Sequence, residues 1–344
     1  MKTRACIRMF VATLMVVLPL FSCSKVNRVQ ADSEIVMSPF GTSLTKAGDL
    51  TLLGPTNVLG IFAYYADCSD ETAWNSSNAW GAASMYFEDA AFAHNGTSWA
   101  GRGQSYYWPF QGTLMFAGYC PHKSAPDNAV TGVAFMPNKD EMNPYLQIDF
   151  KQKTAPEDMV DLLWFDVKDV AGGIALAKTS DPIPVQFKHA MSKVSFVFVD
   201  SNLHYTLKAV SLKGVVNEGT FYSGNIPGWM PNLNKETLAA YTLLAGSELL
   251  DEEDGWESGD LYVIPQYLDG IFPTIGEVLD SGVDVVLAFT IEDGFGSQQI
   301  EILLKEHTER WELGKSYQYT ITVNADAIDF GAPSIDVLPQ ISVL

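Results

Sequence analysis

Positive charge is scarce in this chain. Lysine and arginine together number 21 against 41 aspartates and glutamates, a net charge of −20. Phosphate backbones are repelled by such a balance, which argues against nucleic acid as a partner. Histidines number five and cysteines four. His94, His122, His189, His204 and His307 show no HExxH or paired ligand spacing, and the cysteines form no CxxC, so no metal is expected. His189 reads as a packed or hydrogen-bonded strand residue. Phosphate-binding glycine loops are missing too; Gly101-Arg102-Gly103 is too short to count. The acidic run Asp251–Asp254, with Glu257 and Asp260, lacks the spacing of a calcium loop and reads as a solvated turn. With no catalytic constellation, neither enzyme activity nor a cofactor is expected. Past the N-terminus, no apolar run reaches the about 20 residues of a membrane-spanning helix.

What the chain does have begins at the N-terminus. Lys2, Arg4 and Arg8 precede the apolar run Met9–Phe21, which is too short to span a bilayer and has the form of an export signal over residues 1–22. Its removal would take the net charge from −20 to about −23. Leu20-Phe21-Ser22-Cys23 matches a lipobox, with an aliphatic residue at −3, a small one at −1, and Cys23 as the acylated residue. Phe21 is bulkier than that position usually takes. With Cys6 in the signal and Cys23 lipidated, Cys68 and Cys120 remain. Export to an oxidising setting permits a Cys68–Cys120 disulfide, and two buried free thiols is an equally good reading.

The body reads as strands. Val58–Tyr65 is dense in β-branched and aromatic residues. Ser84–Glu88, Thr113–Gly118, Tyr145–Phe150, Tyr205–Leu212 and Gly219–Tyr222 follow, with Asp49–Gly54 before them. Pro156–Val170 is open between a short helix and a strand. Val185–Val199 contains a strand with Val194, Phe196 and Phe198 on one face. Val283–Ile291 and Gln299–Leu304 form a hairpin about Glu292-Asp293-Gly294. In Tyr317–Val323 the apolar residues Tyr317, Tyr319, Ile321 and Val323 alternate with polar ones, the pattern of a sheet with one face on the core. Short strands without βαβ alternation indicate an all-β chain of antiparallel sandwiches. Asp181-Pro182-Ile183-Pro184 stiffens a connector, placing an N-terminal sandwich at 47–183 and a C-terminal one at 184–344.

Four stretches carry a resemblance: SYYWPFQGTLMFAGYCP (105–121), PVQFKHAMSKVSFVF (184–198), LYVIPQ (261–266) and RWELGKSYQYTITVNADAIDF (310–330). In order and spacing the sequence resembles the fimbrillin family of Bacteroidetes, pilus subunits assembled from lipoprotein precursors. The resemblance implies two tandem transthyretin-like sandwiches, lipid-anchored export to the outer membrane and surface, and proteolytic removal of the first strand at an arginine or lysine. It further implies polymerisation with other fimbrial subunits by β-strand complementation. Residues 23–46 would then be a propeptide. Within it, Glu34–Leu44 is the detachable strand, Ile35, Met37 and Phe40 its groove-filling side chains, and Lys46 the cleavage site. The family more often has arginine there; Arg28, earlier in the chain, would leave the strand attached. At the other end, Pro333–Leu344 offers Ile335, Val337, Ile341 and Val343 as side chains of a donor strand, which is also readable as the last strand of the second sandwich. The alternative to a polymerising subunit is a non-polymerising outer-membrane lipoprotein: a pilus anchor, or a surface protein that stacks glycans on Trp74 and Trp80.

Overall fold

The computed structural model describes residues 33–39, 56–67, 83–126, 128–136, 144–166, 170, 176–200, 205–233, 238–250, 255–273, 278–324 and 328–340. Among them there is no α-helix, only strands and two single 3-10 turns at Pro156–Asp158 and Leu304–Glu306.

The first sheet contains β1 (Val36–Pro39), β2 (Val58–Ala66), β3 (Ser84–His94), β4 (Trp99–Gly101), β5 (Thr113–Cys120), β8 (Leu163–Phe165), β9 (Ile183–Val185) and β10 (Lys188–His189), in the order β10-β8-β5-β2-β3-β4-β1-β9. β9 and β10 are joined through Gln186 and Phe187 alone, yet they occupy opposite ends of that order. Strands so close in the chain can sit at opposite ends of a sheet only if the sheet curls until its ends meet. The curled sheet encloses Ile61, Ala63, Phe92, Phe116, Phe165 and Phe187.

Its outer face is covered in turn. A second sheet, β14-β13-β7-β6, is built from β6 (Val130–Met136), β7 (Tyr145–Lys151), β13 (Glu218–Tyr222) and β14 (Gly228–Pro231). Leu146, Ile148, Phe150 and Phe221 of this sheet pack with Phe62, Tyr64 and Tyr119. β2 and β5 are therefore buried on both faces, which is why they read as continuous apolar runs rather than alternating ones. Gly118 in β5 leaves room inside the curled sheet for β8, since a Cβ there would lie 2.4 Å from the Phe165 ring.

The C-terminal part is a sandwich of two sheets. One joins β11 (Ser192–Asp200), β17 (Trp256–Glu257), β18 (Leu261–Val263), β25 (Lys315–Val323), β26 (Ile328–Phe330) and β27 (Ser334–Val337). The other joins β12 (Thr206–Val215), β15 (Ala239–Leu244), β16 (Glu248–Leu249), β22 (Val286–Glu292) and β23 (Ser297–Leu303). Phe196, Phe198, Leu287, Phe289, Tyr319 and Ile321 fill the space between them. Two ribbons complete the elements: β19 (Gln266–Tyr267) with β24 (Arg310–Trp311), and β20 (Ile271–Pro273) with β21 (Val278–Asp280). The expected hairpin turn is present. Asp293 Oδ1 accepts the N–H groups of Phe295 and Gly296 at 2.8 and 2.9 Å, and β22 pairs with β23.

Three readings change. The connector at Thr179–Pro184 does not separate the sheets: β9 and β10 close the first sheet, and β13 and β14 extend β7, so pairing runs across it. Pro184 is accommodated because β9 is an outer strand of that sheet, where a missing N–H is tolerated. The strand expected at Ser84–Glu88 continues to His94 through an irregularity at Asp89, whose φ is +45°. Pro156–Val170 resolves into a 3-10 turn followed by the short strand β8.

Candidate functional site

β1 is only four residues long, but it lies between two strands from distant parts of the chain. It runs antiparallel to β4, pairing Val36 with Ala100 and Met37 with Trp99. On its other side it runs parallel to β9, pairing Met37 with Ile183, Ser38 with Pro184 and Pro39 with Val185. The chain just before it is tied to the loop preceding β5. Ile35 N–H donates to the Tyr106 carbonyl at 2.7 Å, Trp108 N–H donates to the Ser33 carbonyl at 3.1 Å, and Glu34 bridges Tyr107.

Ile35 and Met37 point inward and are fully buried. They join the core of the curled sheet with Phe92, Trp99, Trp108, Ile183 and Val185. Trp108 meets Phe116 edge-on, with ring centroids 5.9 Å apart. Burying two such side chains contributes roughly 3–6 kcal/mol before the two ladders are counted. Taking β1 away would leave an apolar hole and two facing strand edges, β4 and β9, both with unpaired backbone groups. A replacement strand must then satisfy both ladders and fill both side-chain pockets.

The opposite end of the chain is arranged the other way round. β27 lies on the edge of β25, with Val337 opposite Lys315 and Ile335 opposite Tyr317. All four of its residues are exposed. Ile335 and Val337, read as side chains of a donor strand, sit at 49% and 78% exposure on this edge strand among the described residues. The first strongly held side chain past them is Leu338, which is buried and donates its N–H to the Gly314 carbonyl at 2.8 Å. The next carbonyl, of Pro339, accepts from His189 Nε2 at 2.9 Å.

Other sequence candidates fall as follows. Cys23, Phe40, Lys46, Cys68, Trp74, Trp80, Ile341 and Val343 lie outside the described residues. Cys120 is a free thiol buried in β5, its pKa pushed far up by burial and the nearby Asp161 carboxylate. His189 is buried and doubly hydrogen-bonded, as its place in the strand pattern suggested. Among the described residues no group of three or more His, Cys, Asp or Glu side chains is placed to hold a metal ion, and no helix is long and apolar enough to cross a membrane. Sequence reasoning missed two buried acid-base clusters. In one, Asp161 meets His189 at 2.6 Å. In the other, the Asp89 carboxylate accepts from Tyr119 Oη at 2.8 Å and lies 3.3 Å from His122 Nε2 and 2.6 Å from Lys123 Nζ. Pairing across such sequence distances has no local signature.

Among the described residues the chain is all-β, with one strand seated between distant partners near its start and an exposed edge strand near its end. The fimbrillin-like family matches residues 56–336, and the chain belongs to that family. Its fold is similar to that of a candidate cell adhesion protein from Bacteroides uniformis (TM-score 0.52, 16% identity, covering 89% of this chain and 99% of that one). It is also similar to that of a fimbrial protein from Bacteroides vulgatus (TM-score 0.51, 15% identity, covering 88% of this chain and 99% of that one). No curated protein matches the chain.

Proposed function

We propose that this chain is a structural subunit of a surface fimbria, made as a lipoprotein and polymerised by exchange of strands between copies or with other fimbrial subunits. Cys23 carries the lipid that holds the precursor at the outer membrane, and Lys46 is where a protease releases the segment containing β1. The vacated slot between β4 and β9 then accepts the C-terminal strand of a neighbour. The chain acts through a backbone ladder and buried side chains, without catalysis or cofactor. One observation carries the reading: Met37 on the four-residue β1 and Ile35 just before it are sealed in a core, while Ile335 and Val337 stand exposed on an edge strand. Apolar side chains exposed on an edge strand are a liability unless a partner covers them.

Mass spectrometry of the protein taken from the cell surface tests this. A chain beginning at Ala47 without lipid supports the subunit reading. An acylated chain that still begins at Cys23 overturns it in favour of a retained, non-polymerising lipoprotein.

A further inference from the structure

β10 carries a buried histidine that finds an acceptor at each ring nitrogen. Nδ1 of His189 lies 2.6 Å from Asp161 Oδ2, and Nε2 lies 2.9 Å from the carbonyl oxygen of Pro339, 150 residues further along the chain. The His189 side chain is 2% exposed and that of Asp161 8%. The second oxygen of Asp161 is buried without a hydrogen-bond partner among the described residues, so the carboxylate is turned toward the histidine rather than shared.

Charged and titratable groups reach this pair from each element around it. Lys193 on β11 faces it while holding Asp260 at 3.2 Å. The Cys120 thiol on β5 lies near Asp161. Lys188, on β10 itself, places its ammonium 4.7 Å from the centre of the Trp164 ring. Burial would lower the His189 pKa and Lys193 adds to that, but the Asp161 carboxylate and the Pro339 carbonyl outweigh both and raise it.

The bonding requires a cation. An imidazolium donates at both nitrogens, whereas a neutral imidazole has one N–H to give. Once deprotonated, the ring keeps its proton on the side of the charged, closer acceptor, Asp161. The bare Nε2 then faces the lone pairs of the Pro339 carbonyl, and attraction turns to repulsion.

Among the described residues, little else holds this segment. β27 pairs with β25 over four residues, buries none of them, and is followed by Leu338 with its bond to Gly314. We propose that His189, positioned by Asp161, is a latch on the C-terminal strand: protonated, it pins the chain at Pro339 and keeps β27 on β25; neutral, it lets that end go. The use of such a latch in assembly rests on the strand-donor reading above, but its existence does not.

Hydrogen exchange read by mass spectrometry on the full chain tests the latch. At one pH, the amides of residues 334–338 in His189→Gln and His189→Leu should exchange at least about ten-fold faster than in the parent, with the β22–β23 hairpin unchanged. The ratio between parent and His189→Gln cancels intrinsic exchange chemistry. Followed upward in pH from the ordinary histidine range until His189 has lost its proton, it should fall toward one. Equal protection in parent and variants, or a ratio that does not move with pH, overturns the proposal. Should either variant fail to fold, NMR titration of the parent decides. The His189 ring resonances and the Leu338 amide should shift with the same midpoint, and separate midpoints overturn the latch. Failure of strand donation shows elsewhere, as a protease-treated chain that stays monomeric while the exchange result stands.

Discussion

Tyr317 and Ile335 stand directly opposite each other across the β25–β27 ladder, Tyr317 buried at 1% exposure and Ile335 half open at 49%. Opposed residues of an antiparallel pair share a face. Ile335 therefore points to the same side as a core tyrosine, yet it is far more exposed. Val337, two residues on, is further out at 78%. Among the described residues the apolar side chains of this strand are left largely exposed.

It follows that Ile335→Asp with Val337→Asp should leave folding nearly unchanged while abolishing assembly. Substitutions at exposed positions shift stability by about 0.5 kcal/mol or less. The urea midpoint should stay close to the parent's, and ladders of oligomers after limited proteolysis should disappear. Undiminished ladders from the doubly charged variant would show that this strand is not the donor.

The other strand of the pair is expected to behave in the opposite way. Met37→Ala removes a fully buried side chain from between Trp99 and Ile183 and should cost about 2–5 kcal/mol in the precursor. Ile226→Ala, at a side chain 90% exposed, serves as the control and should cost about 0.5 kcal/mol or less. Urea denaturation of both variants makes the comparison. A Met37→Ala cost no larger than the control's would mean that β1 is not seated as described.

Much of this was legible in the residues, and the limits have physical causes. β25 and β22 each lay one face on a core, so their alternation could be read directly, down to Tyr319, Ile321, Leu287 and Phe289 as inward residues. Ile35 and Met37 were also readable as inward side chains of an extended segment. Their neighbours were not. Trp99 and Ile183 lie far along the chain, and a four-residue strand has too few periods to choose partners. Val337 shows a different limit: alternation marks a strand's apolar side but cannot say whether another sheet lies over it. The His189 latch was beyond reach because one of its acceptors is a backbone carbonyl, which no residue type announces.

Close packing across the first sheet gives a further test. A Cβ on Gly118 would lie 2.4 Å from the Phe165 ring and 2.8 Å from the Gly60 carbonyl, so Gly118→Ala should destabilise the chain by about 1–3 kcal/mol. Gly294→Ala, where a Cβ would meet no atom within 4 Å, should be far milder. Equal thermal midpoints for the two variants would contradict the contact between β5 and β8.

Asp89 supplies the pH test. Its φ of +45° suits aspartate or asparagine better than most residues, so Asp89→Asn removes charge with little added backbone strain. Burial would raise the Asp89 pKa, but hydrogen bonds from His122, Lys123 and Tyr119 outweigh it and hold the carboxyl below the ordinary aspartate range. A carboxyl lowered in the folded state stabilises above its unfolded pKa of about 3.9 and loses that contribution as pH falls through the folded value. At pH 7 Asp89→Asn should therefore cost about 1–3 kcal/mol. Urea unfolding of parent and variant at decreasing pH should show the gap narrowing only below about pH 4. A gap that stays constant through that range would mean the bonds to Asp89 depend on its shape and not on its charge.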